Sequence, residues 1–156
     1  MRIVLATDHA GFALKEYLKK VLIEKGHEVD DVGAYEYEPA DDYPDFIAKA
    51  AVKVSNDPEA LRAVILGGSG QGEAMVANRF PRVRTTVYYG EPKGGDEGGD
   101  IISLSRTHNN ANVLSLGARF LDIHEAERAV MRWLETPFTH EERHKRRIDK
   151  IENLSL

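Results

Sequence analysis

The densest concentration of residues able to do chemistry is Gly67–Gly68–Ser69–Gly70–Gln71–Gly72–Glu73, directly after the apolar run Ala63–Val64–Ile65–Leu66. Four glycines in six residues let backbone N–H groups converge and approach a bound oxygen closely. A helix beginning here adds its positive end, which suits a phosphate, a carboxylate or a developing oxyanion. The Lys–Ser/Thr pair of a Walker loop is absent, and a dinucleotide fingerprint would follow the first strand instead. The plainer reading is a tight strand-to-helix turn. Ser69 could donate to a ligand oxygen or cap the helix. Glu73 could act on a ligand or only favour the helix N-terminus electrostatically.

Further polar residues flank other apolar runs. Asp8–His9 follows Ile3–Val4–Leu5–Ala6 and could bind hydroxyls or phosphate; an Asp N-cap beside a satisfied histidine is the alternative. His108, Asn109, Asn110 and Asn112 precede Val113–Leu114–Ser115–Leu116 and form a hydrogen-bonding cluster suited to a polyhydroxylated ligand, or ordinary turn chemistry. Arg119 follows that run in Gly117–Ala118–Arg119. Arg143 and Arg147 lie one helical turn apart, so on a helix they share a face. Guanidinium forks fit phosphate oxygens, although a solvated basic helix explains the same run. The six histidines contain no HExxH pair, and no carboxylates have EF-hand spacing, so no metal site is expected.

The elements that must position these groups are legible as alternating short apolar runs and amphipathic stretches. Strands are expected at Ile3–Ala6, Val29–Val32, Ala63–Leu66, Val83–Tyr88 and Asn112–Leu116. Helical spacing of Leu14, Leu18, Val21 and Leu22 ends near Gly26. A second helix starts at Tyr43–Pro44 with Asp41, Asp42 and Asp45 nearby, a third carries Glu73–Asn78, and another carries Ala126, Ala129, Val130, Trp133 and Leu134. Five strand–helix alternations imply a parallel sheet covered on both faces by right-handed crossovers, with ligands bound beyond the carboxyl ends of the strands. Gly90–Asp100 is rich in glycine and acid and is expected to be a mobile loop.

Composition narrows the function. The chain has 156 residues, enough for one domain, with 42% hydrophobic and 30% charged residues. Acids outnumber bases 26 to 21, a net charge of −5, and the bases concentrate at residues 143–147, which disfavours nucleic acid as a partner. With no cysteine, disulfides, thiolate metal sites and a cysteine nucleophile are excluded. No apolar stretch reads as a signal peptide or a membrane span, so a cytoplasmic domain is the expectation.

Taken together, Thr7–Asp8–His9–Ala10–Gly11–Phe12, Asp42–Tyr43–Pro44–Asp45, Gly67–Glu73 with Ala77–Asn78, His108–Leu114, Gly117–Ala118–Arg119 and Arg143–Ile151 resemble the ribose-5-phosphate isomerase B group, which includes the sugar-phosphate isomerases LacA and LacB. The likeness runs over nearly the whole chain. It implies a Rossmann-like three-layer α/β/α sandwich with a five-stranded parallel sheet and a C-terminal helix, a single domain over residues 1–156. It implies a homodimer or dimer of dimers with shared active sites, residues 140–154 forming an arm against the partner subunit. The implied reaction is aldose–ketose isomerisation of a sugar phosphate through a cis-enediolate, without metal or organic cofactor, with ribose 5-phosphate the leading substrate. A six-carbon sugar phosphate, or a non-catalytic phosphate- or nucleotide-binding module on the same fold, is the alternative.

By position, the resemblance makes His108 the ring-opening group, with Asp8 nearby. Ser69 would serve proton exchange between O1 and O2, and the backbone around Gly68, Gly70 and Gly72 would hold the enediolate. His9, Arg119, Arg143 and Arg147 would hold the phosphate, and Asn109 would bind the sugar. Many members carry the catalytic base as a cysteine aligned with Gly67. Another branch has glycine there and uses a glutamate at the position of Glu73, and this chain resembles that branch. It departs from the family at residues 89–101, a longer segment that could be a lid, alter the accepted sugar or be a passive insertion.

Overall fold

The computed structural model describes residues 1–90 and 100–154. Among them, five strands form one all-parallel sheet: β1 (Arg2–Thr7), β2 (Glu28–Asp31), β3 (Leu61–Gly67), β4 (Thr85–Tyr88) and β5 (Val113–Gly117), in spatial order β2-β1-β3-β5-β4. The helices are α1 (Phe12–Glu24), α2 (Pro44–Asn56), α3 (Gln71–Ala77), α4 (Ile101–Asn109), α5 (Ile123–Glu135) and α6 (Glu142–Glu152). The expected α/β/α sandwich with a C-terminal helix is present. None of these helices is long and apolar enough to cross a membrane.

The central strands are apolar on both faces because both faces are covered. Ile3 and Leu5 of β1 join Leu14, Leu18 and Trp133 in one core, beneath α1, α4 and α5. Val4 and Ala6 join Ile47, Ala50 and Val54 in the other, beneath α2 and α3. Pro44 opens α2 with Asp45 in its first turn, as its missing N–H and fixed φ favour. Gly26, at φ +83°, ends α1 in the left-handed conformation that other residues resist.

The edge strands are displaced from the expected bounds. β2 spans Glu28–Asp31, while Val32 still donates its N–H to Leu5 O at 2.9 Å. β4 begins at Thr85 rather than Val83. The Asn112 side chain accepts from Arg84 N–H and donates to Arg82 O, both at 2.8 Å, so a side chain replaces the strand ladder there. The glycine- and acid-rich segment expected to be a mobile loop lies, over residues 91–99, outside the described residues.

From β1 the chain moves outward to β2, whereas β3 lies on the other side of β1. The loops leaving β1 and β3 therefore diverge, opening a crevice at the carboxyl ends of the strands. Thr7 pairs with Leu66 and Gly67 with Gly117, so Asp8, the glycine loop and residues 118–119 emerge side by side.

Candidate active site

Asp8 caps the 3-10 turn His9–Gly11, its Oδ1 accepting the Ala10 N–H at 2.9 Å. Capping uses one of its oxygens; the other lies 4.0 Å from His9 Nδ1. His9 has a closer partner that sequence reasoning missed. Asp41 Oδ1 is 2.6 Å from His9 Nδ1 and also accepts the His9 backbone N–H at 3.0 Å. The hydrogen bond to Asp41 raises the His9 pKa above 6.5 against partial desolvation, and the Asp8 charge adds to it while Arg119 opposes it. Asp8, His9 and Asp41 are the one grouping among the described residues whose atoms lie close enough to share a metal ion. One oxygen of each carboxylate is already engaged by N–H donors, and the group reads as an oriented imidazole.

The glycine loop is held from beneath. Gly70, at φ +76°, sits against the Leu116–Gly117 backbone, and a Cβ there would press on it at 3.0–3.2 Å. The hydroxyl of Ser115, buried within β5, donates to Gly70 O at 2.7 Å. Ala118 and Arg119 donate their N–H groups to Gly67 O and Gly68 O at 2.8 and 3.1 Å. Gly72 faces Tyr43, with a Cβ only 2.8 Å from its ring. Ser69 is exposed. Its Oγ accepts the Gln71 N–H at a long 3.4 Å, and its own proton has no acceptor among the described residues. It caps weakly and remains able to donate.

Glu73 lies in the first turn of α3 but does not face solvent; it is 4% exposed. Its carboxylate folds back over Gly67, where any Cβ would overlap it. Burial raises the Glu73 pKa, and the Asp8 charge raises it further, against its own backbone N–H. A buried carboxyl of raised pKa in a cleft is what a proton-transferring base requires.

The remaining predicted residues stand elsewhere. His108 and Asn109 form the last turn of α4, which returns against the strand direction and delivers the chain to the start of β5. Asn110 is the left-handed cap of that helix at φ +45° and accepts from Arg106, and Asn112 clamps residues 82–84. Two asparagines of the cluster thus serve the fold. His108 stacks on the buried His144 of α6, ring centroids 4.3 Å apart and planes 15° apart. Burial lowers the His144 pKa, as does the His108 charge. Arg143 and Arg147 are exposed on a flank of α6, with Arg143 Nε donating to Glu141 at 2.8 Å.

The site residues therefore fall into two groups at opposite ends of the sheet. Asp8, His9, Gly68, Ser69, Gly70, Gly72, Glu73 and Arg119 lie at the carboxyl ends of the strands. His108, Asn109, Arg143 and Arg147 lie at the amino ends, separated by roughly 20 Å, the length of a strand such as β3. The expectation that Asp8 stands near His108 is not met within one chain. The sequence signal for Ser115 was a lone hydroxyl inside an apolar run. Asp41 gave none beyond its place before a helix.

The chain is similar in sequence and fold to several known proteins. The sequence model of the family described as Ribose/Galactose Isomerase matches residues 3–151. Ribose-5-phosphate isomerase B of Mycolicibacterium paratuberculosis is 38% identical over 149 residues, 96% of this chain and 88% of its own length. The protein of the same name from Escherichia coli is 33% identical, with 96% and 93% covered. A crystal structure of ribose-5-phosphate isomerase B from Mycoplasma genitalium with bound ribulose-5-phosphate superposes with a TM-score of 0.89 at 34% identity, covering 97% of this chain and 93% of that one.

Proposed function

The chain belongs to the ribose/galactose isomerase family, and from that we propose that it is a cofactor-independent aldose–ketose isomerase interconverting ribose 5-phosphate and ribulose 5-phosphate in the cytoplasm. The observation that carries the reading is the buried Glu73 carboxylate, folded over Gly67 beside the glycine loop. A module that only bound phosphate would need the loop and the arginines, but no buried base.

Glu73 removes the C2 proton of the open-chain aldose. The C2–H electrons form the C1–C2 double bond while the carbonyl π electrons move onto O1, giving a cis-enediolate. Glu73 then returns the proton to C1 as the carbonyl forms at C2. Ser69 moves the proton between O1 and O2, and the backbone N–H groups around Gly68, Gly70 and Gly72 stabilise the oxyanion. His9 and Arg119 hold the phosphate from this chain.

The other half of the site comes from a second copy. His108 opens the furanose ring near Asp8, Asn109 binds the sugar, and Arg143 and Arg147 reach across to the phosphate. Support for this comes from the sheet-length separation of the two groups and from a two-fold dimer being the simplest assembly that joins unlike ends of identical chains twice.

Incubation in D2O with a panel of five- and six-carbon aldose phosphates tests the reading. Deuterium should enter C2 of ribose 5-phosphate. Preferential labelling of a six-carbon phosphate would replace the substrate, and no label in any of them would overturn the isomerase.

A further inference from the structure

We propose that Asp41 is a positioning residue for His9, holding the imidazole as the Nδ1–H form so that Nε2 is the ring nitrogen presented to a bound anion. The inference rests on the reading of His9 as a phosphate-holding residue, and deepens it. Asp41 lies three residues before α2, and its side chain is 9% exposed. One of its oxygens accepts two hydrogen bonds from the same residue, the backbone N–H of His9 at 3.0 Å and the ring at 2.6 Å. Main chain and ring are thereby referenced to a single atom, which leaves the imidazole little freedom to rotate.

A carboxylate oxygen has no proton to donate, so Nδ1 must be the donor. The hydrogen bond made by one ring nitrogen decides which nitrogen keeps the proton of the neutral ring. Among the described residues, four groups face His9. Asp41 is in contact, the Asp8 carboxylate is 4.0 Å away, Tyr37 meets the ring edge-on at 6.2 Å between centroids, and Arg119 opposes with its positive charge. The carboxylates prevail, and the ring keeps its second proton above the ordinary pH.

The consequence concerns two cations in one crevice. His9 and Arg119 would repel each other before an anion arrives. Asp41 offsets that repulsion from behind, so both charges are in place beforehand. Among the described residues, Asp41 Oδ2 is buried without a hydrogen-bond partner. Its desolvation is compensated while the imidazole stays protonated.

NMR of protein labelled at histidine tests this, with the His9 signal assigned by its loss in His9→Gln. In the unaltered protein the neutral ring should be the Nδ1–H tautomer, and its midpoint should lie above 6.5. Asp41→Asn should lower that midpoint by about one unit, and Asp41→Glu should restore part of it. Relative to the unaltered protein, the Kd for inorganic phosphate and the KM for ribose 5-phosphate should rise several-fold near pH 7.5 and little near pH 5.5, with kcat moving less.

An Nε2–H tautomer in the unaltered protein, or an unmoved midpoint in folded Asp41→Asn, overturns the proposal. Should Asp41→Asn fail to fold, the tautomer alone decides. The titration is read without sugar. A lowered midpoint in a protein that labels no sugar phosphate would overturn the isomerase reading alone, and an unmoved midpoint in an active isomerase would overturn this inference alone.

Discussion

The Glu73 carboxylate occupies the volume that a side chain at residue 67 would need. Glycine at 67 and glutamate at 73 are therefore one structural choice. A cysteine at the first position and a carboxylate folded back from the second would compete for the same place beside the substrate. The chain has no cysteine at all, and in the proposed reaction the base comes from α3 rather than from the end of β3.

Gly67→Ala should displace the carboxylate without disturbing β3, whose backbone at this residue needs no positive φ. Turnover should fall about 100-fold or more, the range assigned to a general base, with KM changed far less. Steady-state kinetics checks this, and wild-type kcat in Gly67→Ala would contradict the shared volume.

Glu73→Gln should abolish turnover and deuterium exchange while leaving ligand affinity largely intact. Its effect on stability has a definite sign. An acid whose pKa is higher in the folded state takes up a proton on folding, so stability falls as pH rises through the interval above the ordinary 4.5. Near neutral pH the charged carboxylate is a liability that glutamine removes. The melting temperature of Glu73→Gln should therefore equal or exceed that of the unaltered protein, the gap closing as pH falls toward 4.5. The acid limb of kcat/KM should lie above an ordinary glutamate's.

Two inactive variants should rescue each other. In a mixed dimer of Glu73→Gln and His108→Ala chains, the proposed pairing puts both altered residues in one site and leaves the other intact. Random exchange at equal amounts would restore about one quarter of the activity. A mixture that stays inactive after exchange, confirmed by mass spectrometry, would place each site within one chain.

Lys15 tests how the scaffold holds Asp8. It is fully buried, its ammonium 2.7 Å from Asp31 and 2.8 Å from Glu16. Burial pushes the Asp31 pKa up, but bonds from Lys15, Lys19 and the Gly33 N–H hold it below the ordinary range. Gly33 O in turn accepts the Thr7 N–H at 2.8 Å, immediately before Asp8. Lys15→Met leaves Asp31 with Lys19 and the Gly33 N–H and should cost about 3 kcal/mol in urea denaturation, the low end for breaking a buried ion pair. A loss below about 0.5 kcal/mol would show that Lys19 suffices.

Sequence made the central strands plain because Ile3–Ala6 and Ala63–Leu66 are buried on both faces, which leaves an unbroken apolar run. It misjudged the ends of β2 and β4. Edge strands have one neighbour, and side chains such as Asn112 can take over part of the ladder. The glycine loop and Glu73 were visible as residue types, but their shared volume depends on the turn that brings α3 back over β3. His108 was visible as a residue type without its location. Its place before β5 puts it at the far end of the sheet, a matter of strand direction rather than of motif. Asp41 was invisible because an acid in an irregular turn carries no periodicity to mark it.

The distance between Glu73 and His108 has a bearing on how activity depends on dose. With the halves of the proposed site at opposite ends of the sheet, a chain can fold completely and still process nothing. Below the dimer's dissociation constant, turnover would rise with the square of protein concentration. A folded chain altered in both halves and made in excess would draw intact chains into dead pairs, so that one damaged gene copy could suppress the product of its neighbour.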